Sequence, residues 1–202
     1  MTWITTASGR AINLAHPNPD LICIRDIGYA LSNINRFNGH SLRPISVAEH
    51  SLTVCEILQR HFGVQSPTGL LAALLHDAHE YLVGDIAQPV KQLMGDAWKV
   101  HDERIQRTVL RSFGVWTAYC HFKLWIHDAD MHALTCEREQ LMNPDAEVWP
   151  CQVTHPAIDW VRYGSQGQFT ADDWRQAFMD RYAELTFAIK QQHESAEQGD
   201  QH

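Results

Sequence analysis

The chain has 202 residues, 45% hydrophobic and 20% charged, the composition of a globular protein able to bury one core without disulfide staples. Its net charge of −8 argues against a nucleic-acid polymer as partner, because phosphate backbones reward a basic face. A small anionic substrate stays compatible, since one metal ion and a few cationic side chains reverse a local potential.

Nothing reads as a secretory leader, and no apolar run reaches the roughly 18 residues that a membrane helix needs. No membrane association is therefore expected. The five cysteines (Cys23, Cys55, Cys120, Cys136 and Cys151) are odd in number and lack a Cys-x-x-Cys spacing. They read as buried, reduced thiols of a cytoplasmic protein rather than as disulfides or ligands.

The first 45 residues carry two turn-rich stretches, around Ser8-Gly9-Arg10 and His16-Pro17-Asn18-Pro19. A short helix is predicted from Ile24 to Ile34. Ser46-Val47-Ala48-Glu49 has the form of a capping box, and apolar residues at 47, 54, 57 and 58 carry that helix to about Phe62. Gly63 fits its stop, and Ser66-Pro67 starts the next helix with proline in the first turn. This second helix holds Leu70, Leu71, Leu74 and Leu75, then His76-Asp77, and is expected to end before Gly84. Residues 85–95, with Pro89, read as a loop. Amphipathic helices follow at about 96–112 and 117–142, and Pro144 and Pro150 bracket another loop. Thr170 caps a last helix running to about Gln191. No strand pattern and no repeat is evident. The expected fold is all-α, a single-domain helical bundle over residues 1–191, with residues 192–202 a polar, disordered tail.

The chemistry concentrates in Leu74-Leu75-His76-Asp77-Ala78-His79-Glu80. A vicinal His-Asp pair ending an apolar run is costly to bury unless its polar groups are compensated. A divalent metal compensates them, because imidazole nitrogen and carboxylate oxygen are both good ligands. His76 and Glu80, four apart on one predicted helix, share a face. His50, on the preceding helix, supplies a further imidazole. A fourth ligand must come from afar, and Ile126-His127-Asp128-Ala129-Asp130 offers two carboxylates. Helical geometry does not choose between Asp128 and Asp130: each lies roughly 80° from the mean apolar direction, and the two are about 200° apart. His79, His127 and His132 read as surface or satisfied core residues.

The order His…His-Asp…Asp on consecutive helices resembles the HD superfamily of metal-dependent phosphohydrolases. Gly84-Asp85 and Gln88-Pro89-Val90-Lys91 extend the likeness to bacterial 5′-deoxynucleotidases. It reaches also to phage HD proteins, including deoxyadenosine-triphosphate triphosphohydrolases. Asn35-Arg36-Phe37-Asn38-Gly39-His40 and Ser46-Val47-Ala48-Glu49-His50-Ser51 resemble the matching upstream segments, so the likeness spans roughly residues 25–140. It implies an HD-domain helical bundle that binds one divalent metal ion (manganese, cobalt or zinc, with magnesium an alternative). His50, His76, Asp77 and Asp130 become the ligands, because the family's aspartate precedes a glutamate by seven residues and Asp130 to Glu137 keeps that spacing. Glu80 matches the catalytic glutamate. Asp85 matches an acidic residue near the sugar and reacting phosphate. Arg36 matches a substrate-binding arginine, whose fork suits phosphate oxygens. Phe37 stands where the nucleotidases often carry tryptophan, which leaves base preference open. Lys91 and His40 are further substrate-side candidates.

The implied activity is hydrolysis of a small deoxynucleotide, foremost a 5′-deoxynucleotidase acting on monophosphates. A triphosphohydrolase of the same chemistry is the alternative. Cations available for β and γ phosphates are few (Lys91, Arg43 and Lys99), which favours the monophosphate. A non-catalytic nucleotide sensor is the rival of another class, although it would need neither Glu80 nor Arg36. The resemblance also implies a homodimer or higher homo-oligomer.

Overall fold

The apolar stripes predicted from the sequence pack together in a computed structural model of the chain, which describes residues 2–164 and 169–199. The chain begins with β1 (Trp3–Thr5) and β2 (Ala11–Asn13), an antiparallel hairpin pairing Ile4 with Ile12. This corrects the expectation of no strands. Three residues per strand are too few for a visible alternation, yet the pair turns Ile12 fully into the core. Asp26 accepts hydrogen bonds from Ser8 N (2.8 Å) and Ser8 Oγ (2.7 Å), fastening the hairpin to the first helix.

α1 (Ile24–Asn33), α2 (Val47–Arg60) and α3 (Pro67–Leu74) follow. Ser46 Oγ accepts from Glu49 N at 3.1 Å, the first half of the predicted capping box. The reciprocal half is absent, because the Glu49 carboxylate turns to Arg43 at 2.6 Å and 3.0 Å. Ser66 caps α3 in the same way at 3.2 Å, with Pro67 in its first turn.

The predicted continuous helix from 67 to 83 is broken. α3 ends at Leu74, and α4 (Glu80–Val83) begins only after a tight turn. Within it His76 N, Ala78 N and Glu80 N bond carbonyls three residues back, a tighter winding than the α-helix. Gly84, at φ 78, ends α4 in a backbone region that favours glycine. Residues 88–94, expected as loop, form α5 (Gln88–Met94), whose proline sits in the first turn where its missing N–H costs nothing.

α6 (Asp96–Ser112) and α7 (Trp116–Leu141) match the predicted segments closely, and α8 (Pro150–Thr154) is a short addition. α9 (Ala171–Gly199) runs past Gln191, so residues 192–199 are helical rather than a disordered tail. Residues 200–202 lie outside the described residues. The segment is polar but rich in helix formers. Ser195 Oγ to Gln191 O (2.9 Å) and Lys190 to Glu194 (3.7 Å) supply one-turn side-chain support.

The fold is thus all-α apart from the hairpin. α3 is the central element: Leu70, Leu71, Ala72, Ala73 and Leu74 are all buried, and it packs on α2, α7 and α9. Each buried leucine contributes about 1.5–3 kcal/mol relative to exposure. A Cβ at Gly69 would stand 2.6 Å from the Phe122 ring, so this glycine permits the close α3–α7 approach. That approach matters because α7 delivers distant side chains to the end of α3. No helix among the described residues is long and apolar enough to cross a membrane.

Candidate metal centre

The break after α3 is what aims His76 and Asp77 at one point. On a continuous helix they would diverge by about 100°. In the turn, His76 Nε2 and Asp77 Oδ2 stand 3.1 Å apart. His76 Nδ1–H donates to Ala73 O at 2.8 Å, and Gln106 of α6 donates to His76 O at 2.9 Å, so the turn's backbone and the ring are both held.

His50, fully buried in the first turn of α2, points at the same place from the side. Its Nε2 lies 3.6 Å from Asp77 Oδ2 and 3.1 Å from Asp130 Oδ1 of α7. Ligand atoms of His50, His76 and Asp130 all fall within 4.8 Å of one another. Donors around a tetrahedral ion with bonds of about 2.1 Å sit about 3.4 Å apart, so these spacings suit a shared cation.

Two further observations fit the residues to a metal. The Nε2 atoms of His50 and His76 are buried without a hydrogen-bond partner among the described residues. Meanwhile each Nδ1 is engaged: His76 with Ala73 O, and His50 with Glu137 Oε1 at 2.7 Å. Such contacts fix the tautomer that presents the Nε2 lone pair. A buried lone pair facing carboxylate oxygens is unfavourable unless a cation or a proton lies between.

The electrostatics agree. Burial and Arg36 pull the pKa of His50 down, yet Glu137 and Asp130 push it up to about 10. Burial raises Asp77, but His76 and His50 hold its carboxyl well below the usual range. Burial likewise opposes ionisation of Asp130, and His50 overcomes it. This pocket of fixed negative charge is one that a divalent ion would neutralise.

Asp128 is placed elsewhere. It faces outward on α7 toward His155 Nε2 at 3.3 Å, so the ambiguity left by helical periodicity falls to Asp130.

No protein-family model matches the chain. It is similar to the uncharacterized protein RCAP_rcc00048 of Rhodobacter capsulatus, 37% identical over 142 residues that make up 69% of this chain and 72% of that protein. It is also similar to the uncharacterized protein YfdR of Escherichia coli K12, 32% identical over 159 residues, 79% of this chain and 83% of that protein. The chain belongs to the family of these two proteins. Neither name carries an activity, so the chemistry of the family rests on the side chains themselves.

Around the metal candidates stand the other expected residues. Glu80 is buried, with Oε1 3.7 Å from Lys91 Nζ and Oε2 without a hydrogen-bond partner among the described residues. Burial, Asp77 and Asp85 together push its pKa well above the usual value, against Lys91 and Arg36. Asp85 is also raised, by burial and by Asp77. Lys91, on α5, faces Glu80, Asp77, Asp102 and Asp85. The expectation that Glu80 shares a helix face with His76 fails, but the turn still brings it to the same pocket.

Arg36 is buried, and its Nε donates to Glu137 Oε2 at 3.0 Å. Neither Nη makes a hydrogen bond among the described residues. Backbone bonds Arg36 N to Ile45 O (2.9 Å) and Val47 N to Ile34 O (3.0 Å) pin this turn against the start of α2. Phe37 follows at φ 56 and Asn38 at φ 51, left-handed conformations that cost a bulky aromatic residue about 1–3 kcal/mol. His40 is exposed, with no side-chain hydrogen bond to the pocket, so its predicted substrate role has no structural support. His79 is buried with Nε2 3.2 Å from Asp102 of α6, and neither ring nitrogen makes a hydrogen bond among the described residues. It is therefore buried but not the satisfied histidine expected, and its nitrogens do not join the His50–His76–Asp130 group.

Sequence reasoning used Glu137 only as a spacing marker. It is a hub: fully buried, it accepts from Arg36, contacts His50 and accepts from Tyr163 Oη at 3.4 Å. Its signal was available, since Glu137 lies two turns beyond Asp130 on the same face of α7. Tyr163 and Trp149 come from irregular chain after α7, where no periodicity points to them.

Proposed function

We propose that this chain is a metal-dependent phosphohydrolase of the HD type, acting on deoxynucleotides as a 5′-deoxynucleotidase that releases phosphate from monophosphates. The observation that carries the reading is the convergence of two partnerless histidine Nε2 atoms with Asp77 and Asp130, beside Glu80 and Arg36. His50, His76, Asp77 and Asp130 would hold one divalent ion. When bound, such an ion acts as a Lewis acid on a phosphate oxygen and lowers the pKa of water.

The chain's own groups supply the rest. Arg36, clamped through Nε by Glu137, turns its two Nη groups to phosphate oxygens and offsets their charge. Glu80, buried beside the candidate ligands with Oε2 unpartnered among the described residues, takes the proton of the attacking water. Asp85 lies beside the leaving sugar oxygen, and Lys91 screens the carboxylates around it.

The supply of cations favours the monophosphate. Arg43 is committed to Glu49 and to Tyr163 O at 2.8 Å, and Lys99 is exposed. Of these candidates among the described residues, Arg36 and Lys91 remain beside the site for phosphate charge. The five cysteines are unpaired, in keeping with a reducing, cytoplasmic setting, but only Cys55 and Cys136 are buried as expected; Cys23 and Cys151 are half-buried and Cys120 is exposed.

The test is product analysis on chelator-treated protein reloaded with manganese, cobalt, zinc or magnesium. Deoxynucleoside monophosphates are expected to yield inorganic phosphate, with rates restored by one metal equivalent. Inorganic triphosphate released from deoxynucleoside triphosphates would instead support the triphosphohydrolase. Metal binding with no release from any nucleotide would overturn catalysis in favour of a sensor.

A further inference from the structure

α7 continues past the ligand Asp130 to Glu137 and Arg138, and the chain after it folds back onto the same helix. Arg138 is buried and donates to the carbonyls of Asn143 (3.2 Å), Ala146 (2.6 Å) and Glu147 (3.2 Å). One guanidinium therefore ties down the whole loop that leads to Trp149, and its Cζ also lies 5.7 Å from the Trp149 ring. Trp149 N donates to Gln152 Oε1 at 2.8 Å, fixing the residue from the other side. The indole is thus held on rigid supports, yet it is only half-buried.

What it meets is Phe37, with ring centroids 5.8 Å apart and planes inclined at 50°. Phe37 is presented by the left-handed turn described above and is also half-buried. Arg36 Cζ lies 5.3 Å from the Phe37 centroid. A continuous path therefore runs from Trp149 to Phe37, to Arg36, and on to Glu137 and the ligand set. Centroids at 5.8 Å are too close to admit a flat ring between two parallel faces, which needs about 7 Å at van der Waals contact. Inclined planes instead set the half-buried rings of a benzene and an indole at an angle, two apolar walls next to Arg36. Such walls beside a phosphate-binding arginine match one kind of molecule in shape and polarity: a nucleotide, with its phosphate at the metal and its base against the rings.

We infer that Trp149 is a specificity-determining residue whose indole forms the base platform together with Phe37, and that this platform favours purine over pyrimidine deoxynucleotides. The inference rests on the nucleotide reading above and deepens it. Stacking is tolerant of base identity but grows with overlap, and a two-ring base covers more of an indole than a one-ring base. The benzene offers no hydrogen-bonding group and the indole only one N–H donor, which acceptors of purines and pyrimidines alike can meet, so discrimination between the two classes comes from area.

The experiment measures binding separately from turnover. Dissociation constants of 2′-deoxyadenosine and 2′-deoxycytidine, which neither candidate reaction consumes, are obtained by ligand-observed NMR titration of the full chain. 2′-Deoxyribose 5-phosphate, which has no base, serves as the control substrate for initial rates. The wild-type protein is expected to bind deoxyadenosine more tightly than deoxycytidine. Trp149→Ala and Trp149→Leu, the second keeping apolar bulk, should weaken deoxyadenosine by about tenfold, and Trp149→Phe should retain most of the affinity. KM for deoxyribose 5-phosphate should not move. Deoxyadenosine affinity unchanged in either Trp149→Ala or Trp149→Leu, or no measurable affinity in the wild type, overturns the platform. So does a parallel loss for the base-free sugar phosphate, which would make Trp149 a structural prop. Absence of hydrolysis across the nucleotide panel removes the catalytic reading without deciding this binding result.

Discussion

Among the described residues, clusters of histidine and aspartate lie on opposite sides of α7, and the inner one alone brings ligand atoms of three such residues within 4.8 Å of one another. In the buried cluster, His50 and His76 have ring centroids 5.4 Å apart. In the outer one, His132 lies 5.2 Å from both His61 and His155, with Asp128 beside them. Residue types and ring spacings are nearly the same. The difference is where the ring nitrogens go. His132 Nδ1 meets Pro156 O at 2.8 Å, His155 Nδ1 meets Thr154 Oγ1 at 2.8 Å, and His155 Nε2 meets Asp128 at 3.3 Å. The outer nitrogens are spent on local partners and in contact with solvent, whereas the inner Nε2 atoms are buried, partnerless and convergent. Clustering of ligand-type residues is cheap; uncompensated burial of aligned lone pairs is not.

The sharpest way to break this comparison is to exchange aspartate for alanine on each side. Asp130→Ala is expected to abolish stoichiometric metal binding and to lower kcat/KM by at least about a thousandfold, more than 4 kcal/mol. Asp128→Ala, two residues away, should leave both within about twofold. Metal content by elemental analysis and initial rates read the pair. Equal losses in the two variants would show that the inner and outer clusters are not functionally distinct.

Glu80→Gln comes next. The amide keeps the shape but cannot take a proton from water, so kcat should fall about 10²–10⁴-fold with metal content unchanged. Its stability effect runs the other way. Burial and the neighbouring carboxylates raise the folded pKa of Glu80 above its unfolded value. The folded chain therefore binds more protons than the unfolded chain in that interval, and stability falls as pH rises from about 4.5 through the folded pKa. The amide removes this decline. In metal-free protein, Glu80→Gln should melt about 2–4 °C higher than wild type at neutral pH, the shift that about 1 kcal/mol produces at this chain length. The advantage should shrink toward pH 4. Melting curves that stay parallel across this range would show that Glu80 is not strained by its surroundings.

How much of this was legible in the sequence differs by element. The amphipathic helix α6 announced itself, because a 3.6-residue period repeated over several turns is hard to mistake, whereas α7 buries residues only from Ile126 onward and its period is weaker. The candidate ligand types were equally plain, and the chain brings His50, His76 and Asp130 together. What periodicity could not reach was the turn at residues 75–79. Leucine and alanine there favour helix, and the break that lets His76 and Asp77 converge comes from backbone bonds to Ala73 and from Gln106 of another helix. Periodicity alone could not choose Asp130 over Asp128; the spacing to Glu137 did so by resemblance, and the packing of α7 on α2 sets Asp130 against His50 and Asp128 against His155. Residues 88–94 hid their helix behind Pro89, and residues 192–199 hid theirs behind polarity. Trp149 and Tyr163 arrive from irregular chain whose course depends on Arg138 and Gln140.

The smallest of these effects concerns the residue that makes the inner cluster different at its root. Glu137 holds two of the site's residues from behind: one oxygen faces His50 Nδ1 at 2.7 Å, the other accepts from Arg36 Nε at 3.0 Å. Burial opposes its charge, but Arg36 and His50 keep its pKa below the usual value. In Glu137→Gln one oxygen becomes an amide NH₂, so a donor must face either His50 Nδ1–H or Arg36 Nε–H. Whichever way the amide flips, one buried donor loses its acceptor. His50 is then free to move its proton to Nε2, the nitrogen that should carry the lone pair. Metal affinity is expected to fall about 10–100-fold, the usual scale for a partner one shell out, with binding still stoichiometric at high metal. Competition titration against a chelator measures this directly. Tyr163→Phe, which removes only the 3.4 Å bond to the same carboxylate, should cost less than about threefold. An affinity unchanged by Glu137→Gln would mean that the tautomer of His50 is set by the ion alone, and the inner cluster would differ from the outer one only in depth.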